Sequence, residues 1–502
     1  MDQAINAGVE IASGKLQGVA RDGVLRFNGI PYAKPPVGDL RWRMPEAPDS
    51  WDGVRDASRF GNIAPQVASA SGAVLGGTPG TRSEDCLYLN VQTPACDGAR
   101  RAVMVWIHGG AFVTGAGSVG TYSGKYLVPR GDIVLVTINY RLGAFGFLNL
   151  RDATDGKLPG TGAEGLADQI VALKWVQGNI ASFGGDPGNV TIFGESAGGM
   201  SVGALLACPA ARGLFHKAIP QSGASDIGYA RETSAKVGRH VIDALGGVDP
   251  LEAPWETILD IQKTILETPR ETGGMPFGPT IDGTVLPRRA IDLVAEGSAA
   301  GVPVLTGTTR DEWKLFTIAA PNLKTLDEAG LRRLTAKLAG EEHVDTLLAA
   351  YTAGSPFDRW NDINTDRTFF VPATRLLDAQ AKHAPVYGYR FDWASPMLGG
   401  ALGSCHALEL GFTFGTFRMK GAEPFFGSGD AAEALSDAMM DAWIAFAKAG
   451  NPSADESTAW LRYDAKRRGT MIFGDGDPHM TAAPNEARRR AWEAVAAAKI
   501  GA

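Results

Sequence analysis

Runs of apolar residues along the chain predict the strands of a central sheet. Residues 103–107 and 133–138 are continuous apolar runs, which fit strands covered by helices on both faces. Further strand-like segments follow at 217–222, 302–306, 386–391 and 470–473. Between them lie segments with helical spacing of apolar positions, most plainly at 163–183. The alternation of strands and helices predicts an α/β fold with a largely parallel sheet.

The remaining segments predict how this sheet is bordered and covered. The first hundred residues alternate strand-like runs, such as 24–27, with proline-rich turns, which indicates an antiparallel edge meander packed beside the main sheet. Residues 230–300 and 320–385 are mainly helical in pattern and are expected to form insertions over the carboxyl edge of the strands. Helices are also expected at 431–449 and 485–498. No convincing linker marks a boundary, so we expect residues 1–502 to form a single domain.

A glycine-rich turn at residues 194–198 is the strongest candidate for chemistry. The β-branched run 190–193 leads into Gly-Glu-Ser-Ala-Gly, and small residues suited to a helix follow as far as Leu206. A G-x-S-x-G motif between a strand and a helix is typical of the nucleophile elbow, in which a strained backbone holds the serine hydroxyl above the sheet. The alternative is an ordinary turn, because a chain with 64 glycines produces such a pattern by chance.

Composition and charge narrow the class of protein. The 502 residues are 44% hydrophobic and 21% charged, and the formal net charge of -7 gives no long-range attraction to nucleic acid or to an anionic membrane. No window is apolar for long enough to span a bilayer, and the N-terminus lacks the pattern of a signal peptide. The four cysteines show no zinc-ligand spacing. These features predict a cytoplasmic protein with reduced thiols and no metal site.

A serine nucleophile needs a base, and one of the seven histidines lies in a suitable place. His406 belongs to a glycine-bearing loop after a late predicted strand, although a histidine in such a loop can also be purely structural. Asp311 and Glu312 follow the strand predicted at 302–306, and the residue types alone do not choose between these two acids. The chain order of Ser196, acid and His406 is that of α/β-hydrolases.

A second strand-to-loop motif offers donors for an oxyanion. Residues 106–112, Trp-Ile-His-Gly-Gly-Ala-Phe, take the chain from a predicted strand into small residues whose backbone amides can approach a substrate oxygen. Together with the amide of Ala197 they would form a hole with three donors, and one such donor is worth roughly 3 to 4 kcal/mol in the transition state. The alternative is a simple turn, but the presence of both motifs in the hydrolase order favours catalysis.

Three segments resemble the type-B carboxylesterases, the family that includes cholinesterases and bacterial para-nitrobenzyl esterases. Residues 183–198 match the serine signature of that family, residues 84–90 match its second signature, and residues 27–41 match its N-terminal segment. The similarity extends over essentially the whole chain. It implies an α/β-hydrolase fold with a large, mostly parallel central sheet, helices on both faces and helical insertions over the active site.

The resemblance also assigns roles to individual residues. It implies a catalytic triad in which Ser196 is the nucleophile, His406 is the general base and acid, and Glu312 rather than Asp311 is the third member. It implies that the oxyanion hole consists of the amides of Gly110, Ala111 and Ala197. Two supporting positions follow from it: Glu195, the acid beside the nucleophile, and Ser222, a serine near the histidine.

The chain departs from the family pattern at two positions. Cys86 lacks the upstream cysteine found in many members, because Ala64 occupies that position, so Cys86 is expected to be a free thiol. Trp313 stands where many members have glycine, and its bulk is expected to narrow or reshape the substrate pocket. Loop positions predict an apolar pocket that is lined by Phe112, Met275, Phe277, Trp313, Phe316 and Leu402.

Together these features predict a serine carboxylesterase that cleaves small to medium, apolar carboxylic esters through an acyl-enzyme, without a metal or cofactor. The expected partner is the small-molecule ester, with no nucleic acid and no membrane span; a monomer and a homodimer are both compatible with the sequence. An amide or carbamate hydrolase would use the same triad. The sequence is also compatible with a catalytically silent, cholinesterase-like interaction module and with a lipase that acts at an oil interface.

Overall fold

The computed structural model describes residues 6–67, 77–268, 275–318, 320–453 and 459–495. The strands, in chain order, are β1 Asn6–Ile11, β2 Gly14–Arg21, β3 Val24–Pro31, β4 Val54–Asp56, β5 Tyr88–Thr93, β6 Arg101–Ile107, β7 Val134–Ile138, β8 Gly185–Glu195, β9 Lys217–Gln221, β10 Val304–Thr309, β11 Val386–Phe391, β12 Gly469–Phe473 and β13 His479–Ala482. All thirteen belong to one sheet.

The α-helices of the described residues, in chain order, are α1 Leu127–Gly131, α2 Gly143–Gly146, α3 Leu150–Ala153, α4 Glu164–Asn179, α5 Ala197–Leu205, α6 Arg231–Ala244, α7 Trp255–Glu267, α8 Ala290–Ala295, α9 Lys314–Thr317, α10 Pro321–Lys324, α11 Glu328–Ala339, α12 Val344–Ala350, α13 Pro356–Thr365, α14 Val371–Gln380, α15 Leu410–Thr413, α16 Glu423–Phe426, α17 Asp430–Ala449 and α18 Glu486–Ala491. A π-helical turn, Asp366–Phe370, joins α13 to α14. Short 3₁₀ turns lie at Gly38–Leu40, Gly120–Tyr122, Ile180–Phe183, Pro209–Ala211, Glu341–His343, Met397–Gly400 and Thr416–Arg418.

The centre of the sheet is parallel, as the alternating pattern predicts. Strands β7, β6, β8, β9, β10, β11 and β12 lie side by side in this order and are parallel to their neighbours. Strand β13 pairs antiparallel with β12 at one edge. This arrangement brings the carboxyl ends of β6, β8 and β10 to one edge of the sheet, where loops from all three meet.

The N-terminal meander is antiparallel and lies at one edge of the sheet, as predicted. It does not pack beside the main sheet but extends it, since β3 pairs antiparallel with β5, and β5 pairs antiparallel with β7. Strands β1 and β2 continue the same edge, and β4 pairs with β2. The prolines of this region lie at strand ends and in turns, so the N–H groups inside the strands remain free to join the ladder.

The continuous apolar runs of the central strands serve two cores. In β6, Val103, Val105 and Ile107 belong to one hydrophobic cluster, whereas Met104 and Trp106 belong to a second cluster on the opposite face. All five side chains are fully buried. The absence of polar alternation in this strand therefore reflects cover on both faces.

Most predicted helices are present with small changes in their bounds. The pattern at 163–183 becomes α4 followed by a 3₁₀ turn, and that at 431–449 becomes α17. The helix expected at 485–498 ends at Ala491, and residues 496–498 lie outside the described residues. The first insertion contains α6 to α8, and the second contains α10 to α14. Residues 269–274 of the first insertion also lie outside the described residues. Across the described ranges, no helix is both long and apolar enough to cross a membrane.

Candidate active site

Ser196 occupies a strained backbone position between β8 and α5. Its φ of 58° and ψ of -127° lie in a region that residues with a side chain rarely adopt. Hydrogen bonds hold the turn on both sides: the Ser196 amide donates to the Gln221 carbonyl at 3.0 Å, and the Met200 amide donates to the Ser196 carbonyl at 2.8 Å. The geometry is that of a nucleophile elbow.

The glycines around this serine permit close approach of three backbone segments. A Cβ added to Gly198 would lie 2.0 Å from the Ile107 carbonyl oxygen at the end of β6. A Cβ added to Gly109 would lie 2.6 Å from the Glu195 carbonyl oxygen and 3.0 Å from the Ser196 Cβ. Strand β6, its following loop and the elbow therefore pack together only because these positions carry no side chain.

His406 and Glu312, which are 94 residues apart in sequence, meet beside the elbow. The Nδ1 of His406 lies 2.6 Å from Oε2 of Glu312. The other carboxylate oxygen of this fully buried glutamate accepts a hydrogen bond from the Thr309 amide at 2.8 Å. Asp311 turns elsewhere, since its carboxylate accepts from the Ser404 amide at 2.9 Å and pairs with Lys314 at 3.0 Å. Of the two adjacent acids, Glu312 is the one that contacts the histidine.

Two further buried carboxyls lie near this pair. The Oε1 of Glu195 is 3.0 Å from the Nε2 of His406, within ion-pair distance but without the angles of a hydrogen bond. Burial, reinforced by the charge of Glu312, raises the pKa of Glu195 well above its usual range. Glu409, which the sequence analysis missed, is also fully buried, and burial together with Glu195 and Glu312 raises its pKa as well. Burial thus favours the neutral form of both of these carboxyls.

Ser222 lies at the end of β9 beside the elbow. Its φ is 43°, its amide donates to the Gly307 carbonyl at 2.9 Å, and its side chain is fully buried. Within the described residues its hydroxyl has no hydrogen-bond partner. Its supporting role near the histidine remains a prediction.

The loop after β6 has an unusual backbone over three consecutive residues. The φ values of Gly110, Ala111 and Phe112 are 112°, 53° and 60°. The Gly110 carbonyl accepts hydrogen bonds from the Val113 and Thr114 amides, at 3.0 and 3.1 Å, which closes the turn. Gly110 and Ala111 line the cavity that contains Ser196, and Ala197 is the first residue of α5. The role of the amides of Gly110, Ala111 and Ala197 as an oxyanion hole remains a prediction.

A cavity of about 890 Å³ opens over Ser196 and His406. Its wall is formed by Val67, Gly77, Thr78, Gly109, Gly110, Ala111, Val113, Thr114, Gly115, Val119, Tyr122, Glu195, Ser196, Met200, Lys263, Leu266, Glu267, Met275, Trp313, Leu315, Phe316, Arg367, Thr368, Phe369, His406 and Ala407. This volume is in the range of small-molecule sites.

The structure places half of the predicted pocket residues on this wall. Met275, Trp313 and Phe316 line the cavity, whereas Phe112, Phe277 and Leu402 are buried in the hydrophobic cores and do not line it. The Phe112 ring, for example, packs edge-on against Phe147 at 5.0 Å between ring centroids. Its positive φ belongs to the tight turn after β6, and the side chain is directed into the core.

Aromatic rings surround the imidazole of His406. The ring centroids of Phe316 and Phe369 lie 5.1 and 4.8 Å from that of His406, and Trp313 packs against Phe316 at 4.9 Å. The sequence analysis missed Phe369, which lies in the π turn of the second insertion. The available signal was Pro372, a residue that interrupts a regular helix and so marks a place where side chains change direction.

The parallel sheet, the strained serine elbow and the acid and histidine that follow it in chain order define an α/β-hydrolase. The chain belongs to the carboxylesterase family, whose sequence model matches residues 6–492. It is therefore a carboxylic ester hydrolase by family.

Named relatives cover nearly the whole chain. The para-nitrobenzyl esterase of Bacillus subtilis (strain 168) is 42% identical over 475 residues, covering 92% of this chain and 93% of its own. The phenmedipham hydrolase of Pseudarthrobacter oxydans is 36% identical, covering 92% and 94%. The crystal structure of a Geobacillus stearothermophilus carboxylesterase superposes with a TM-score of 0.86 at 39% identity, covering 97% of this chain and all of that one.

Proposed function

We propose that this chain hydrolyses small to medium, apolar carboxylic esters through an acyl-enzyme on Ser196. The observation that carries the proposal is the contact of 2.6 Å between His406 and the buried Glu312, beside a serine held at a strained elbow. The largely apolar cavity over the serine, with Trp313 and Phe316 on its wall, supports the preference for apolar esters.

The proposed mechanism assigns one task to each group. The Nε2 of His406 takes the hydroxyl proton as Ser196 attacks the ester carbonyl, while Glu312 holds the imidazole through Nδ1 and stabilises its charged form. The amides of Gly110, Ala111 and Ala197 stabilise the negative oxygen of the tetrahedral intermediate. His406 then gives the proton to the departing alcohol, and water cleaves the acyl-enzyme by the same route.

Glu195 has a supporting task in this scheme. Burial, together with the charge of Glu312, raises the pKa of this carboxyl, which disfavours its charged form and so weakens its competition with Glu312 for the charged imidazole. Its Oε1, 3.0 Å from Nε2, also adds a polar atom next to the reacting nitrogen. Ser222, at the end of β9, is proposed to support the same region.

Initial rates on para-nitrophenyl esters of increasing acyl length test the proposal. Wild type is expected to show a burst followed by turnover, and Ser196→Ala is expected to lose both. Matched anilide and carbamate substrates are expected to react more slowly than the esters. Near-normal hydrolysis by Ser196→Ala would refute the mechanism, and faster cleavage of the anilide would refute the substrate class.

The adjacent acids supply a matched pair of variants. Glu312→Gln is expected to lower kcat by a factor on the order of 10³ to 10⁴, because an amide neither orients the imidazole correctly nor stabilises its charge. Asp311→Asn changes the neighbouring residue by the same chemistry and is expected to lower kcat by less than about threefold, since Asp311 does not contact His406. Equal effects of the two changes would refute the assignment of Glu312.

We propose in addition that the protein acts in the cytoplasm as one domain. The four free cysteines support the location, because thiols persist in a reducing compartment. The continuous thirteen-stranded sheet, to which both ends of the described chain contribute strands, supports the single domain. Cell fractionation followed by an esterase assay tests the location, and activity confined to the extracellular fraction would refute it.

A further inference from the structure

The π turn Asp366–Phe370 brings part of the second insertion into the active site. Pro372 has no N–H group to donate to the carbonyl of Thr368, so a regular helix cannot pass through this point unchanged. The chain forms a wider turn instead, in which the Val371 amide donates to the Asp366 carbonyl five residues earlier. The turn places Thr368 and Phe369 on the cavity wall.

The first residue of this turn is fixed by groups from outside the helix. Asp366 is 1% exposed, and its Oδ2 accepts a hydrogen bond from the Tyr351 hydroxyl at 2.6 Å. The Tyr351 oxygen in turn accepts from Nε1 of Trp492 at 2.8 Å. Both aromatic residues are buried, so water does not compete for these hydrogen bonds.

The C-terminal helix α18 also contacts the residues around this turn, through Arg488. Arg488 donates to Asp362 at 2.6 Å, lies 3.9 Å from Oδ2 of Asp366, and stacks over the Tyr351 ring at 4.9 Å. Arg488 and Trp492 are more than 115 residues from Asp366 in sequence. The position of the π turn therefore depends on the packing of the chain's last described segment.

Helix α13, which precedes the π turn, is hydrogen-bonded to the segment that follows Glu312. The Trp313 amide, directly after Glu312, donates to Oγ1 of Thr365 at 3.0 Å, and Thr317 donates to Asn361 at 2.6 Å. Thr365 directly precedes Asp366. A shift of the π turn would thus move Phe369 relative to the His406 ring, while the contact of 2.6 Å between Glu312 and His406 is made by their own side chains.

We propose that Asp366 is a positioning residue for ester hydrolysis, held by Tyr351 and Trp492 so that the π turn presents Thr368 and Phe369 to the substrate. It touches neither substrate nor reacting atoms and acts through the cavity wall. The C-terminal helix then sets which acyl or alcohol groups fit beside His406, although it lies outside the cavity. This inference rests on the proposed function.

The test compares two buried tyrosines that make the same kind of contact. Tyr351→Phe removes the hydroxyl that joins Trp492 to Asp366. Tyr463→Phe is the matched control, because the Tyr463 hydroxyl donates to Asp378 at 2.8 Å and accepts from Arg468 at 2.7 Å, and it lies outside the cavity wall. For each variant we measure Tm, kcat and KM on para-nitrophenyl acetate and hexanoate.

Tyr351→Phe is expected to change the ratio of kcat/KM for hexanoate over acetate by about fivefold or more, mainly through KM, because small displacements of a binding wall have large effects. Its kcat on acetate is expected to stay within about threefold of wild type, since the histidine and acid keep their contact. Tyr463→Phe is expected to lower Tm comparably and to change the ratio by less than about twofold.

A ratio for Tyr351→Phe within twofold of wild type, with both Tm values lowered alike, would overturn the inference and would leave the proposed function standing. If Tyr351→Phe does not fold, Trp492→Phe tests the part of the inference that concerns the C-terminal segment, because it keeps aromatic packing and the Tyr351–Asp366 hydrogen bond but removes the Nε1 donor to Tyr351. A shift in the ratio with Trp492→Phe supports the inference, and an unchanged ratio overturns it. Failure of the proposed function would appear separately, as wild-type inactivity on every ester.

Discussion

Gly198→Ala tests whether close backbone packing at the elbow positions the proposed oxyanion donors. The added Cβ would lie 2.0 Å from the Ile107 carbonyl oxygen and 2.8 Å from the His108 carbonyl carbon and oxygen, all of them backbone atoms that cannot rotate away. Ordinary van der Waals contact begins at 3.4 Å. Helix α5 and the end of β6 must therefore separate by about 1.4 Å to admit the methyl group.

This separation acts directly on the active site. The Ala197 amide belongs to α5, whereas the Gly110 and Ala111 amides belong to the loop after β6, so the movement pulls the proposed donors apart. Loss of one oxyanion donor, or a misplacement of about 1 Å, costs on the order of 10²-fold in rate. We expect kcat of Gly198→Ala on para-nitrophenyl acetate to fall by about 10²-fold, with a smaller change in KM.

Gly178→Ala is the matched control. Gly178 lies in α4, and a Cβ added there meets no atom within 4 Å. Alanine at this helical position is expected to leave kcat unchanged and to stabilise the protein by up to about 1 kcal/mol. Activity of Gly198→Ala within threefold of wild type, at an unchanged Tm, would refute the argument that close packing positions the donors.

Three predictions concern stability and the pocket. Burial lowers the pKa of His108 to about 4, so the unfolded state binds the proton more tightly than the folded state does. The free energy of unfolding of wild type is therefore expected to fall by about 2 to 3 kcal/mol as the pH falls from 7.5 to 4.5. Urea unfolding of His108→Gln is expected to lack this loss. Asp168→Asn leaves the buried guanidinium of Arg141 without its charge partner and is expected to lower the free energy of unfolding by about 3 to 5 kcal/mol. The double change Arg141→Met and Asp168→Leu is expected to recover much of this loss, because it removes both charges. Equal losses in the single and the double variant would contradict this account. Trp313→Ala removes a large side chain from the cavity wall and is expected to move the preferred acyl group in the para-nitrophenyl ester series toward bulkier chains, and an unchanged optimum would show that Trp313 does not limit the pocket.

Part of the fold was predictable because its determinants are local. The strand-like segment at 386–391 is β11 with the same bounds, and the pattern at 431–449 is α17 with one residue added. Strand and helix periods are fixed by residues two to four positions apart, which a sequence displays directly. The elbow was predictable for the same reason, since its tight turn requires small residues at fixed offsets from Ser196.

The sequence predicts the chain order of Ser196, the acid and His406, but it does not predict which acid contacts the histidine. Residue types left Asp311 and Glu312 equivalent, and the family resemblance favoured Glu312. The structure separates them physically: Ser404 and Lys314 bind the Asp311 carboxylate, which leaves Glu312 beside His406. The contacts of these acids with Ser404 and His406, which lie 93 and 94 residues further along the chain, have no signature in a local pattern.

The α/β alternation, the strained elbow and the residues able to carry ester chemistry can all be read from the amino-acid sequence, because local periodicity and backbone strain depend on near neighbours. The shape of the pocket, in contrast, depends on the tertiary structure. Phe112, Phe277 and Leu402 turn into the cores, while Phe369 reaches the cavity through a π turn held by Tyr351 and Trp492. The direction of a loop or insertion side chain is set by packing against segments far away in the chain, and that packing exists only in the folded protein.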